Sequence, residues 1–231
     1  LRGGYRVLDR GRGLPPPELI KYFKSGRKVE ELVSYLNNMV DQIFKEDSVS
    51  DALSDWAKNG ASYYGWRSIR YFLYEYELWL QSESKSDRTK IEWAVFAKED
   101  YQSDYVSVEH IYPQKPRATY WTERFSSFSV SQRRMLRNSL GNLLALSSPK
   151  NSSLGNKAFP DKVGNGDGTV GYRYGSYSEN QVAMAAEWTA EAIVDRGLQM
   201  MAFMEKRWSL SIGDRNQKLK ALGLSFMGRR P

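Results

Sequence analysis

The sequence contains no cysteine. That excludes disulfides, thiolate metal centres and cysteine nucleophiles. It contains one histidine, His110, so any chemistry that needs an imidazole must use that residue. No apolar run reaches the roughly eighteen residues of a membrane-spanning helix, so no membrane partner is expected. No glycine-rich loop ending in Lys-Ser/Thr occurs, which argues against nucleotide hydrolysis by this segment. The opening Leu1-Arg2-Gly3-Gly4 offers neither Met nor an apolar leader. It reads as a cut from a longer protein, and with no export signal the expected location is cytoplasmic.

What is present is a chain of 231 residues, 41% of them hydrophobic and rich in Trp, Tyr and Phe. That is enough for a packed core in one large domain or two small ones. The net charge is +7, and its distribution matters more than its size. Residues 111–175 hold ten Lys/Arg against three Asp/Glu, so this one stretch accounts for the whole excess. A localised basic field attracts polyanions, nucleic acid above all.

Residues 1–14 are Gly/Arg-rich and read as a linker, and Pro15-Pro16-Pro17 opens a helical region extending to about residue 100. Val29, Leu32, Val33, Leu36, Val40 and Ile43 recur at helical spacing, and a short helix is expected over Ser50 to Lys58. The strongest helical pattern runs from Trp66 to Leu80, with Ile69, Phe72, Leu73, Tyr76 and Leu80 on one face. Glu75 and Glu77 are expected to be exposed or paired with Arg67 or Arg70, and the aromatics between Tyr63 and Trp79 to be core. Gln81–Lys90 reads as a loop, and Ile91–Ala97 is ambiguous between helix and strand. Tyr105–Ile111 alternates as a strand, ended by Pro113 and Pro116. Ser131–Asn138 reads as a basic helix and Gly141–Leu146 as a second strand. Ser148 with Pro149 signals the start of another helix. Residues 101–163 thus form a unit of strand, long insert, strand and helix. The Gly/Tyr-rich stretch Gly164–Tyr177, with Tyr172, Arg173 and Tyr174, reads as a connection. A long, once-broken helix is expected over Glu179–Trp208, and residues 211–231 as a basic tail. The fold class expected is mainly α with a small ββα core flanked by helices on both sides.

His110 follows Glu109 at the end of the first predicted strand. Adjacent strand residues point to opposite faces, so the two converge on one centre only if the strand bends there. Asn142 lies at the start of the second strand, and Asn151, nine residues later, falls in the first turn of the following helix. A carboxylate, an imidazole and two amides on a strand–strand–helix unit form a phosphodiesterase set. The oxygen donors suit a hard cation such as Mg²⁺ or Mn²⁺, and the imidazole can deprotonate water near neutral pH.

Glu-His-Ile-Tyr-Pro-Gln, followed by Leu-Gly-Asn-Leu-Leu-Ala-Leu, Asn151, Asn156-Lys157, Phe159 and Lys162, resembles the HNH nuclease domain of GmrSD-type proteins. The flanking Ile-Arg-Tyr-Phe-Leu-Tyr-Glu-Tyr-Glu and the Glu-Trp-Thr with Ile193 and Arg196 extend the resemblance over about residues 66–210. The signature and its spacing are also similar to the HNH domain of CRISPR effector nucleases. The resemblance implies a ββα-metal core in which Glu109 is a metal ligand, His110 activates water and Asn142 positions His110. Asn151 completes the metal site, with Asn156 in reserve. Glu and Asn stand where many HNH enzymes have Asp and His, which favours Mg²⁺ or Mn²⁺ over Zn²⁺ or Ni²⁺.

Arg117, Arg124, Arg133, Arg134, Arg137, Lys150, Lys157, Lys162 and Arg173 are the expected DNA contacts. The implied function is metal-dependent nicking of DNA by the effector module of a phage-defence or modification-dependent restriction protein, one that carries an N-terminal NTPase and sensor domain. The alternatives are a catalytically inactive DNA-binding module and an RNase.

The concentrated charge generates a first prediction. Affinity of the chain for duplex DNA should fall steeply as salt rises, because each neutralised phosphate releases counterions. A flat dependence in a salt titration would place the basic stretch away from DNA.

Overall fold

The computed structural model describes residues 26, 28–43, 63–66, 68–85, 88–91, 107–164 and 170–229. The helix expected over Ser50–Lys58, nearly all of Ile91–Ala97 and the proline-rich opening lie outside them. The chain divides into two compact units, Leu1–Leu53 and Ser54–Pro231. In the first, helix α1 spans Val29–Ile43, matching the apolar spacing from Val29 to Ile43.

The second unit is mainly helical around one small antiparallel sheet. Helix α2 (Ile69–Glu83) runs three residues into the segment expected to be a loop. Strand β1 (Ser107–His110) is followed by α3 (Thr119–Arg124), α4 (Val130–Asn138) and a 3₁₀ turn at Leu140–Asn142. Strand β2 (Leu143–Leu146) returns against β1 with Glu109 opposite Leu144 and His110 opposite Leu143. Helices α5 (Ser148–Leu154) and α6 (Phe159–Val163) come next. A 3₁₀ turn at Tyr172–Tyr174 leads to α7 (Tyr177–Ala183), α8 (Ala190–Trp208) and α9 (Arg215–Ala221).

Local chemistry sets the ends of these helices. Ser129 with Gln132, Ser176 with Glu179 and Asp214 with Gln217 form capping boxes at the starts of α4, α7 and α9, each satisfying backbone N–H groups that no helical partner can reach. The cap of α5 is Ser147, one residue before the expected Ser148, with Pro149 in the first turn. The expected long helix breaks between Ala183 and Ala190. Ser209 closes α8 in the left-handed region at φ 52°.

Two expectations change. Helix α2 is buried almost all round, not along one stripe: Tyr71, Phe72, Leu73, Tyr74 and Tyr76 are all core. A helix enclosed on every side must satisfy its acids internally. Glu75 and Glu77, at 4% and 2% exposure, are therefore neither solvated nor local partners of α2. Glu77 accepts from the backbone N–H groups of Tyr177 and Ser178 at 2.7 Å each, capping α7, and Glu75 accepts from Arg207 Nε at 2.9 Å. Second, the residues after 211 are not simply a basic tail, because α9 and the turn behind it bury Leu219, Leu222 and Leu224.

The turn at Leu140–Asn142, just before β2, packs against α8. Arg196 donates from one guanidinium nitrogen to the carbonyls of Gly141 and Leu143, at 2.9 and 2.8 Å. This tethers the helix to the turn that feeds β2. The approach is close enough to require glycine. A Cβ on Gly141 would overlap the Ile193 carbonyl oxygen and lie 2.7 Å from Gly197 N, both rigid helix backbone. Gly141→Ala should therefore destabilise the protein by about 1–3 kcal/mol. Denaturant unfolding tests this, and an unchanged midpoint would mean that α8 can move away freely.

Candidate active site

The sheet ends where the chemistry begins. The β1–β2 ladder closes at His110, and Ile111 N then donates to Asn142 O at 3.1 Å. The chain turns away over Pro113 and Gln114. Between this turn and α5 lies a cleft of about 220 Å³ lined by Tyr64, Val108, Glu109, His110, Pro113, Gln114, Asn151, Gly155 and Asn156. Glu109 and His110 therefore share one cavity although they are neighbours on a strand. Asn151 faces the cleft from α5, and Asn156 from the exposed loop after it.

His110 is 6% exposed. Its Nε2 lies 3.3 Å from Asn138 Oδ1 and 3.4 Å from Gln114 Nε2. The shorter contact is one that a protonated Nε2 makes to a carbonyl oxygen, leaving the lone pair on Nδ1. Tyr64 packs its ring against the imidazole, with centroids 4.5 Å apart. Burial, with help from the charges of Lys162 and Arg137, lowers the imidazole pKa to about 4, against a weaker upward pull from the Asn138 contact. His110 is therefore uncharged at pH 7.

Glu109 is buried at 5% exposure. Its Oε1 accepts from Lys162 Nζ at 2.5 Å and from Tyr172 OH at 3.2 Å. Both side-chain hydrogen bonds to the carboxylate fall on Oε1, and the His110 backbone N–H gives it further support. Burial pushes the carboxyl upward and Lys162 opposes it, while burial pushes the Lys162 amine downward and Glu109 opposes that. Three acceptors surround Nζ: Glu109 Oε1, His110 O at 3.3 Å and Ile111 O at 3.2 Å. They match the three donors of an ammonium.

Asn142 is fully buried and does not touch the imidazole. Its Oδ1 accepts from Tyr112 N at 2.8 Å and Trp188 Nε1 at 3.0 Å. Its Nδ2 donates to Tyr112 O at 3.0 Å and Arg137 O at 2.8 Å. It holds the backbone two residues beyond His110, whereas Asn138 and Gln114 meet the ring itself.

The expected DNA contacts divide by burial. Arg117, Arg134, Lys157 and Arg173 are exposed, and Arg133 and Arg137 are half-buried on α4. Arg124 is paired with Glu187 and lies over the Tyr120 ring. Lys150 is paired with the buried Glu179. Lys162 is a correction: at 0% exposure it cannot reach a phosphate, because its ammonium is consumed inside the protein. Tyr172, read as part of a connection, is likewise buried on Glu109. Neither role has a periodic or spacing signal, since both depend on contacts across more than fifty residues.

No group of three or more His, Cys, Asp or Glu capable of holding a metal occurs among the described residues, and none of their helices is long and apolar enough to cross a membrane. The family model for the C-terminal domain of GmrSD restriction endonucleases matches residues 46–203. The chain belongs to this family. The match covers both strands, the whole cleft and most of α8, so the cleft lies in a restriction-type nuclease domain. No curated protein and no solved structure matches the chain. In this GmrSD-type domain, Lys162 of α6 and Tyr172 of the following turn are the residues that reach the acidic side of the cleft.

Asn142→Ala would leave Trp188 Nε1 and the Tyr112 and Arg137 backbone groups without partners. At about 1–3 kcal/mol for each buried group left unsatisfied, the loss should be clear in thermal unfolding. Asn138→Ala should be milder. Equal stability of the two variants would show that the Asn142 network is not what secures the turn.

Proposed function

We propose that this domain is an HNH-type, metal-dependent DNA endonuclease that nicks one strand at a time. The reading is carried by one observation: His110, Glu109, Asn151 and Asn156 line a single cleft at the end of a strand–strand–helix unit. The nuclease family supplies the reaction class.

The donor chemistry fits a hard divalent cation. Glu109 Oε2, which no side-chain donor among the described residues reaches, and the side-chain amides of Asn151 and Asn156 offer oxygen donors of the kind that suits Mg²⁺ or Mn²⁺. A metal bound there would stabilise charge on the phosphate and on the leaving 3′ oxygen. The protein's own groups do the rest. His110, uncharged at pH 7, takes a proton from the attacking water on Nδ1 while Nε2–H stays on Asn138. A positioned base of this kind contributes about 10²–10⁴-fold in rate. Asn142 fixes the backbone behind His110 so that the ring does not drift. Arg117, Arg133, Arg134, Arg137, Lys157 and Arg173 draw the DNA backbone toward the cleft, because their charges are not buried. One Glu109–His110 pair per chain aligns one water against one phosphate, which favours nicking. In a longer restriction or phage-defence protein, a preceding NTPase and sensor domain would decide when the cleft meets DNA.

Supercoiled plasmid should become open circle before linear DNA appears, with Mg²⁺ or Mn²⁺ and not with EDTA. His110→Ala should lose about 10²-fold or more of this activity while retaining DNA affinity. Cleavage in EDTA, or a wild-type rate in the variant, would refute the mechanism. Faster cutting of RNA than DNA would favour a ribonuclease.

A further inference from the structure

Lys162 is the most thoroughly enclosed charge among the described residues, and a nuclease that binds phosphates has no evident use for a cation hidden from solvent. Its surroundings give it one. It sits on the short helix α6 and reaches the last residues of β1, fifty-odd positions earlier in the chain. Its three donors are divided between the Glu109 carboxylate and the carbonyls of His110 and Ile111. Two of these three acceptors belong to the residues that line the cleft. The Tyr172 hydroxyl closes on the same Oε1 from a later turn of the chain. Oε1 is thus doubly held, and no side-chain donor among the described residues reaches Oε2.

We propose that Lys162 is a positioning residue that clamps Glu109 through Oε1, with Tyr172 as second jaw, so that Oε2 is presented to the cleft as a metal ligand. This rests on the reading of Glu109 as a ligand. The clamp resolves a geometric problem. Neighbours on a strand face opposite ways, and a free glutamate has three torsions with which to turn aside. Two bonds to one carboxylate oxygen remove that freedom. The same ammonium grips the peptide carbonyls on either side of the bend, fixing the acid and the base relative to each other. Outer-shell partners of this kind typically change metal affinity by about 10–100-fold when removed.

The test is Mn²⁺ binding to the full chain without DNA, followed by the electron paramagnetic resonance signal of free Mn²⁺, together with a salt titration of DNA binding. Lys162→Met should weaken Mn²⁺ binding by about tenfold or more and leave the salt slope of DNA binding unchanged. A surface phosphate contact would instead lower that slope by about one and overturn the inference. Should Lys162→Met fail to fold, Tyr172→Phe removes the second jaw without stranding a buried charge. It should weaken Mn²⁺ binding in the same direction and by less. Glu109→Gln separates the two levels. If it weakens Mn²⁺ binding while the clamp variants do not, the clamp is wrong and the ligand assignment stands. If Glu109→Gln leaves Mn²⁺ binding intact, the ligand assignment fails and takes the clamp with it.

Discussion

The Asn142 carboxamide joins three stretches of chain that are far apart in sequence. It has two acceptor sites and two donor hydrogens, and all four are used: by the Tyr112 peptide on both sides, the Arg137 carbonyl and the Trp188 indole. A fully buried amide is costly unless every one of these needs is met. Once they are met, no alternative arrangement is comparably favourable. The turn after β1, the end of α4 and the segment leading into α8 are therefore locked to one another. The preceding residue, Gly141, lets α8 approach within backbone distance, and Arg196 tethers that helix to the carbonyls on either side of Asn142. His110 inherits a fixed backbone from this network without touching it.

The second polar centre has a different character. Replacing a buried ion pair by apolar residues often costs nothing, and removing one partner costs much. The Lys162–Glu109 pair is therefore weak as an explanation of stability and better understood as a device for orientation. It also alters the meaning of the basic stretch. Ten Lys/Arg lie between residues 111 and 175, yet Lys162 is spent on Glu109, Lys150 on Glu179 and Arg124 on Glu187. The charge offered to a polyanion comes from the remainder. Charge counts along a sequence therefore overstate the field outside the protein when part of the charge is consumed internally.

Much of the site is legible in residue types and spacings alone. The lone histidine, the carboxylate beside it and the Asn142–Asn151 spacing single out residues that meet at the cleft or brace it. Strand alternation poses a problem for Glu109 and His110, yet both line the cleft at the end of β1. The helices with a clear apolar period, α1, α2 and α8, fall close to their expected places. Less is legible where long-range contacts decide. Glu77 reads as a surface acid because glutamates on helices usually are. Its burial follows from α7 starting against α2, where unpaired N–H groups need an acceptor.

Residue identity and near-neighbour spacing are enough to set the periodicities, the caps and the short list of groups able to do acid–base and metal chemistry. They are not enough to choose which of several similar side chains is buried. Lys162 and Lys157 are chemically alike and five positions apart, yet one is sealed against Glu109 and the other faces water. Asn138 and Asn142 are chemically identical and four positions apart, yet one meets the imidazole and the other the backbone behind it. Tertiary packing separates them, because desolvation and hydrogen-bond geometry depend on what the remote chain brings alongside.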